Sequence, residues 1–256
     1  MTPSRAVFER NVIVGNTNGA PIWFDSGAQD ARISRNVFLV PETMTSSAVV
    51  FELTGGPVLF DNNIVLGGGV ASQDAANITL AHNLVAGFKN SAAVTLGGLT
   101  GRTVSGRTAS LRSWWVGANV LLAHEADPWI TMHKEKHAGN YELVYNETAE
   151  HNVVSGGTGH FPLNSSLKVD VSSNYNATNG SFIVKVDYEL MVVTLHRSPV
   201  VRSGCAPLGP GGDVDFRGRA RSPSQCVAGV LSTLPTASAS TTNISLWSAL
   251  VDGNDE

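Results

Sequence analysis

Charge is scarce in this chain. Only 15% of its 256 residues are Asp, Glu, Lys or Arg, and 17 basic residues against 21 acidic ones leave a net charge of −4. A protein that grips a phosphate backbone needs a clustered basic face, so nucleic acid is excluded as the expected partner. No apolar run reaches the length of a membrane-spanning helix, so no membrane association is expected. With two cysteines, Cys205 and Cys226, there is no disulfide framework; the pair closes at most one bridge across a Gly/Pro-rich stretch, or stays as two buried thiols. Helix periodicity is also missing, since no 11-residue window sustains apolar residues at i, i+3 and i+4. No leader is visible either: Met1-Thr2-Pro3-Ser4-Arg5 runs straight into the first apolar segment.

What the chain does have is one short pattern written six times, an Asn followed by apolar residues. The copies start at Asn11, Asn36, Asn63, Asn83, Asn119 and Asn152, at spacings of 25, 27, 20, 36 and 33 residues. A period of 20–50 residues marks a solenoid, because one repeat cannot bury its apolar face alone and stacked repeats share a core. Each Asn lies between two β-like runs, such as Ala31-Arg32-Ile33-Ser34 and Val37-Phe38-Leu39. A third run follows about ten residues later: Ile22-Trp23-Phe24, Val49-Val50-Phe51, Val70-Ala71-Ser72 and Val94-Thr95-Leu96. Three short strands per repeat predict an all-β chain coiled as a parallel β-helix. The recurrent asparagines are expected to stack as a structural ladder at one corner, with His82 and His151 beside them as structural residues.

Ile22-Trp23-Phe24-Asp25, Ile33-Ser34-Arg35-Asn36-Val37-Phe38, Gly56-Pro57-Val58-Leu59-Phe60-Asp61-Asn62-Asn63-Ile64 and Ile78-Thr79-Leu80-Ala81-His82-Asn83-Leu84 resemble the right-handed parallel β-helix superfamily of pectate-lyase-like polysaccharide lyases and glycoside hydrolases. Asp215-Phe216-Arg217-Gly218-Arg219-Ala220-Arg221 looks like the closing stretch of such enzymes. The resemblance implies a right-handed parallel β-helix acting on, or binding, a polysaccharide. Coils are expected over 1–165, capping strands and a loop of the same domain over 166–230, and a Ser/Thr-rich tail over 231–256, mobile over 231–243. Within the second segment, 167–171 and 182–187 alternate apolar and polar residues about a turn at 176–180, the pattern of a β-hairpin. With no cap or leader before the first coil, the chain is read as part of a longer protein. Six Asn-x-Ser/Thr sequons, at Asn77, Asn146, Asn164, Asn176, Asn179 and Asn243, point to a secreted glycoprotein. It is expected to be a monomer.

Aligning the third run of each coil on Ile22, Val49, Val70, Val94 and Trp129 puts Asp25, Glu52, Gln73, Gly97 and Met132 in one column. A one-residue bulge in the long fifth coil would place His133 there instead, and Asp74 follows Gln73. Strand alternation turns Trp23, Asp25 and Glu52 to the outside when Phe24 and Phe51 face the core. Stacked carboxylates suit glycosidic bond cleavage, in which retaining enzymes hold the pair about 5–5.5 Å apart and inverting ones about 6.5–9.5 Å. Asp25, Glu52, Asp74 and His133 are therefore the candidate catalytic residues. Trp23 offers a flat face for a sugar ring, and Gln73, Arg102, Lys134 and Lys136 are expected to bind substrate, the basic ones through anionic groups. The spacing of His133, Glu135 and His137 is not that of a zinc protease, whose Glu directly follows the first His, so no metal site or cofactor is expected. Three functions are consistent with this reading: a glycoside hydrolase, a polysaccharide lyase holding Ca²⁺ on the same carboxylates, and a carbohydrate-binding or inactive solenoid. The hydrolase comes first, because acidic candidates line the column and basic ones gather at one end.

Overall fold

In the computed structural model the described residues are 6–15, 19–25, 29–40, 47–87, 92–98, 114–117, 119–122 and 214–221, with strand segments at 103–104, 107–108, 130–134, 147–150, 153–155, 169–170, 175–176, 182–187, 192–197 and 241–245. Their regular structure is all β. Three parallel sheets carry the repeat. The first is built from Ala6–Glu9, Ala31–Ser34, Val58–Asp61, Ile78–Ala81, Trp115–Gly117, Glu147–Glu150 and Val169–Asp170, each paired with the next. The second stacks Val12–Val14, Val37–Leu39, Ile64–Gly67, Leu84–Gly87, Val120–Leu122, Val153–Ser155 and Tyr175–Asn176. The third has Ile22–Phe24, Val49–Glu52, Val70–Gln73, Val94–Gly98 and Ile130–Lys134. One passage through the three sheets is one coil, and the stack is consistent with a parallel β-helix.

The corner between first and second sheets explains the repeat. It is turned in two residues, the first in the left-handed region: Arg10, Arg35, Asn62 and His82 have φ of 58°, 55°, 54° and 56°. The second is the repeated Asn. The main-chain N–H and the Nδ2 of Asn36 both donate to Oδ1 of Asn63, at 2.9 and 3.0 Å, and Asn63 treats Asn83 likewise at 2.8 and 3.1 Å. Asn11 starts the ladder on Asn36, and Asn83 continues it to Asn119. The remaining Nδ2 proton goes to a carbonyl of the preceding coil, Phe8 for Asn36, Ile33 for Asn63 and Phe60 for Asn83. A two-residue turn leaves backbone groups that no strand can satisfy, and a primary amide carries the two donors and one acceptor that do so. Asn152 and His151 lie outside the described residues.

Register puts like residues in columns. Phe8, Ile33, Phe60, Leu80 and Val116 form one inward column, and Phe38, Val65, Val85 and Leu121 another. Phe51 stacks on Phe24 at 5.2 Å and meets Phe60 and Trp114 edge-on at 6.0 Å each. The indole N–H of Trp114 donates to the Ala75 carbonyl at 2.9 Å, so the polar end of the largest core side chain is satisfied. From the second to the fourth coil the second sheet is buried on both faces, for Val37, Leu39, Ile64, Leu66 and Leu84 alternate with the core column and are no more than 1% exposed, whereas Val14 in the first coil is 65% exposed. Its near-continuous apolar strands are the signature of a parallel strand covered on both sides.

Three expectations about the C-terminal third are corrected. Val169–Asp170 and Tyr175–Asn176 continue the first and second sheets as a further coil, so the stack runs past residue 165. The hairpin of 167–171 with 182–187 does not form; Phe182–Asp187 pairs antiparallel with Val192–Arg197, which in turn pairs with Thr241–Ser245. Residues 169–170 extend the open edge of the stack, and 182–187 takes the partner next to it in sequence. Residues 241–245 of the Ser/Thr-rich tail are thus a strand; Thr is a strand former once a partner edge is present. Cys205 and Cys226 lie outside the described residues.

Candidate functional site

The third sheet carries the candidates. Trp23, Val50, Ala71, Thr95 and Thr131 share a column, as do Phe24, Phe51, Ser72, Leu96 and Met132. Phe51 and Leu96 are buried in the core, and Phe24 packs against it. Alternation therefore turns the Trp23 column outward, and Trp23 is 56% exposed. One residue beyond the Phe24 column come Glu52, Gln73, Gly97 and His133, in register across four coils. Asp25 follows Phe24 just as Glu52 follows Phe51, so it extends this outward row to the first coil.

The expected equivalence of Trp129 is corrected by that register. Ile130 pairs with Val94, which places Met132 in the column of Leu96 and His133 in the column of Gly97. A slip of one residue would move the whole strand's side chains to the opposite face, and a β-branched Ile, rather than Trp, continues the Ile22, Val49, Val70, Val94 column. Lys134 comes next, opposite Gly98.

Asp25 and Gln73 are exposed, and Glu52 is partly buried. Adjacent strands in a sheet lie about 4.8 Å apart, so Phe24 and Phe51, the residues before Asp25 and Glu52, are held at one strand spacing. Asp74 is not in their row. It is 3% exposed, has φ 55°, and its N–H donates to the Gly97 carbonyl at 3.1 Å. Leu53, directly after Glu52, has φ 51° and donates to the Gln73 carbonyl in the same way. Asp74 therefore belongs to the buried corner that ends the strand. Gly97 leaves the outward row without a side chain between Gln73 and His133, and a Cβ there would stand 2.9 Å from the Ser72 carbonyl oxygen. Arg102 and Lys136 lie outside the described residues. Among the described residues, no three His, Cys, Asp or Glu side chains converge as a metal site would require.

A second polar cluster, at the corner between first and second sheets, went unread in the sequence. Asp61, fully buried, accepts from Nε and Nη2 of Arg32 at 3.0 and 2.9 Å, from Ser34 at 3.1 Å and from Asn62 Nδ2 at 2.9 Å. Arg35 pairs with Glu9. Onto this corner folds the Asp215–Arg221 turn. Its only signal in sequence is the resemblance of that stretch to a closing motif; nothing in its composition pointed to Asn62. The buried Thr54, behind Glu52, was likewise missed, for a lone Thr after a strand carries no pattern.

Comparison with protein-family models, with curated proteins and with solved structures returned no match.

Proposed function

We propose that the chain is a carbohydrate-active β-solenoid, and first a glycoside hydrolase that cleaves a polysaccharide between Asp25 and Glu52. The observation that carries this reading is the position of two carboxylates, each directly after the Phe24 and Phe51 that pair on adjacent coils, beside the exposed indole of Trp23. One strand spacing, about 4.8 Å, is close to the 5–5.5 Å of retaining glycosidases and short of the inverting range. In the first step one carboxylate attacks the anomeric carbon as the glycosidic C–O bond breaks, while the other acid donates its proton to the leaving oxygen. Water then displaces the carboxylate from the anomeric carbon and gives its proton back to the second group. Trp23 supplies a platform for a sugar ring, and Gln73 a hydrogen-bonding side chain in the same row. The burial of Asp74 removes it from this proposal as a partner carboxylate.

A second reading is favoured by the placement of His133 and Lys134 at the same end of the third sheet as Glu52 and Gln73. In a Ca²⁺-assisted lyase a basic side chain there would take the proton α to a uronate carboxyl, with the carboxylates on the cation. Secretion is part of both readings, and the sequon residue Asn77 stands exposed at a turn, where a glycan has room.

The test is incubation with neutral and uronate-containing polysaccharides, with and without chelator, following reducing ends and unsaturated-uronate absorbance together. The hydrolase yields reducing ends alone, indifferent to chelator. Both signals, lost on chelation, would replace it with the lyase. Retention on immobilised polysaccharide with no product in either channel would leave a binding solenoid.

A further inference from the structure

Thr54 is two residues beyond Glu52, past the left-handed Leu53, and is 1% exposed. Its Oγ1 lies 3.1 Å from the carbonyl oxygen of Phe24 and 3.2 Å from that of Glu52, and its single O–H proton is shared between the two acceptors. Phe24 is the residue before Asp25. One buried hydroxyl thus reaches the backbone on which each of the two candidate carboxylates is mounted, Asp25 in the first coil and Glu52 in the second. The main chain of Thr54 extends the tie to the third coil, for its carbonyl accepts from the Ala76 N–H at 2.8 Å.

The third coil lacks this arrangement. In the third coil the residue after the left-handed position is Ala75, fully buried and without a hydroxyl. Both strands end here, at Phe24 and Glu52, and beyond Glu52 the Leu53 N–H still donates to the Gln73 carbonyl. The Thr54 hydroxyl joins the backbone of the two strands at the point where carboxylate spacing is set. Nucleophilic displacement at a sugar carbon is sensitive to such placement, where an error of about 1 Å lowers the rate about 100-fold.

We infer that Thr54 is a positioning residue for the Asp25–Glu52 pair, holding the two strand ends at the separation that chemistry needs. The inference rests on the hydrolase reading, and the experiment separates the two. Wild type, D25N, Thr54→Val, Thr54→Ser and Thr54→Ala are compared on a panel of aryl glycosides, with kcat, KM and the pH–rate profile measured for each and folding checked by circular dichroism. Thr54→Val keeps the shape and removes the hydroxyl; it should lower kcat by about 10- to 100-fold, leave KM within about threefold and displace the limbs of the pH profile. Thr54→Ser should return kcat and the pH limbs close to wild type. Should Thr54→Val fail to fold, Thr54→Ala against Thr54→Ser isolates the hydroxyl in the same way. A Thr54→Val protein, or failing that a Thr54→Ala protein, with wild-type kcat and pH profile while D25N is dead would overturn the inference and leave the hydrolase standing. A wild type that cleaves no member of the panel, or that D25N leaves unchanged, would overturn both.

Discussion

Arg221 and Asn62 are 159 residues apart in sequence and meet at 2.8 Å, guanidinium Nη2 on side-chain Oδ1. Arg221 is 5% exposed and also donates through Nε to the Val214 carbonyl at 3.1 Å. The turn that delivers it is tightly specified. Asp215 accepts at Oδ1 from the N–H groups of Arg217 and Arg219, both at 2.9 Å, and Phe216 is buried. At Gly218 φ is +79°, and a Cβ would stand 2.8 Å from the Arg35 guanidinium. A segment far along the chain thus clasps the left-handed corner of the second and third coils.

Removing the clasp should destabilise the solenoid without touching the third sheet. Arg221→Met keeps the length of the side chain and loses hydrogen bonds from a buried charged donor, which are worth about 2 kcal/mol. In a chain of this size that is a fall in Tm of about 4–8 °C. A melting temperature unchanged by Arg221→Met would show that the turn rests on the corner without holding it.

The Asn ladder predicts a gradient of effects. Asn63 accepts two hydrogen bonds from Asn36 and donates to the Ile33 carbonyl and to Asn83, all buried. Asn63→Ala strands the N–H of Asn36 and should lower stability by about 3 kcal/mol or more. Asn11 is only partly buried, and Asn11→Ala should have about a third of that effect. Chemical denaturation of both variants checks the order, and equal losses would contradict the ladder as the source.

These asparagines were readable because a ladder needs the same residue at the same corner of every coil, and repetition is visible in one sequence. The three-strand repeat and the outward row of Asp25 and Glu52 were readable for a related reason, since alternation and equal coil paths carry a residue from coil to coil. Where a coil lengthens, the transfer fails. Between Gly98 and Ile130 the path grows, and the register of His133 could be set only by pairing. The burial of Asp74 could not be read from alternation, because a left-handed φ turns the residue into the corner. Arg221, Asn62 and Thr54 make contacts that depend on where distant segments pack, and nothing repeats to announce them.

Ser72 is a polar intruder in the core. It shares a column with Phe24, Phe51 and Leu96, is 1% exposed, and its hydroxyl has no hydrogen-bond partner among the described residues. A buried, unsatisfied hydroxyl destabilises by about 1 kcal/mol or more, so Ser72→Ala should raise Tm by about 2–4 °C. A lower Tm in Ser72→Ala would mean that the hydroxyl is satisfied in solution.

Trp23 should act on binding and not on the chemical step. Its exposed ring is in the outward column two residues before the carboxylate row, and loss of an aromatic platform is worth about 1 kcal/mol. Trp23→Ala is expected to raise KM about fivefold with kcat little changed, and Trp23→Phe to restore most of the affinity. A fall in kcat at constant KM would place the indole in the transition state instead.

The three acidic candidates make opposite predictions, and that contrast is the sharpest test of the row. Asp25 and Glu52 each directly follow a paired phenylalanine on adjacent coils, whereas Asp74 is 3% exposed in a left-handed corner. D25N and Glu52→Gln should each lower kcat/KM by about 1,000-fold or more while leaving Tm within a few degrees, because a nucleophile and an acid are each indispensable to a retaining mechanism. Asp74→Asn keeps a residue type that tolerates left-handed φ and should retain activity within about threefold. An activated fluoroglycoside that accumulates a covalent adduct should label Asp25 or Glu52, found by mass spectrometry of the digested protein, and the unlabelled one is then the acid/base. An adduct on neither residue, or an Asp74→Asn protein as inactive as D25N, would move the chemistry away from the outward row.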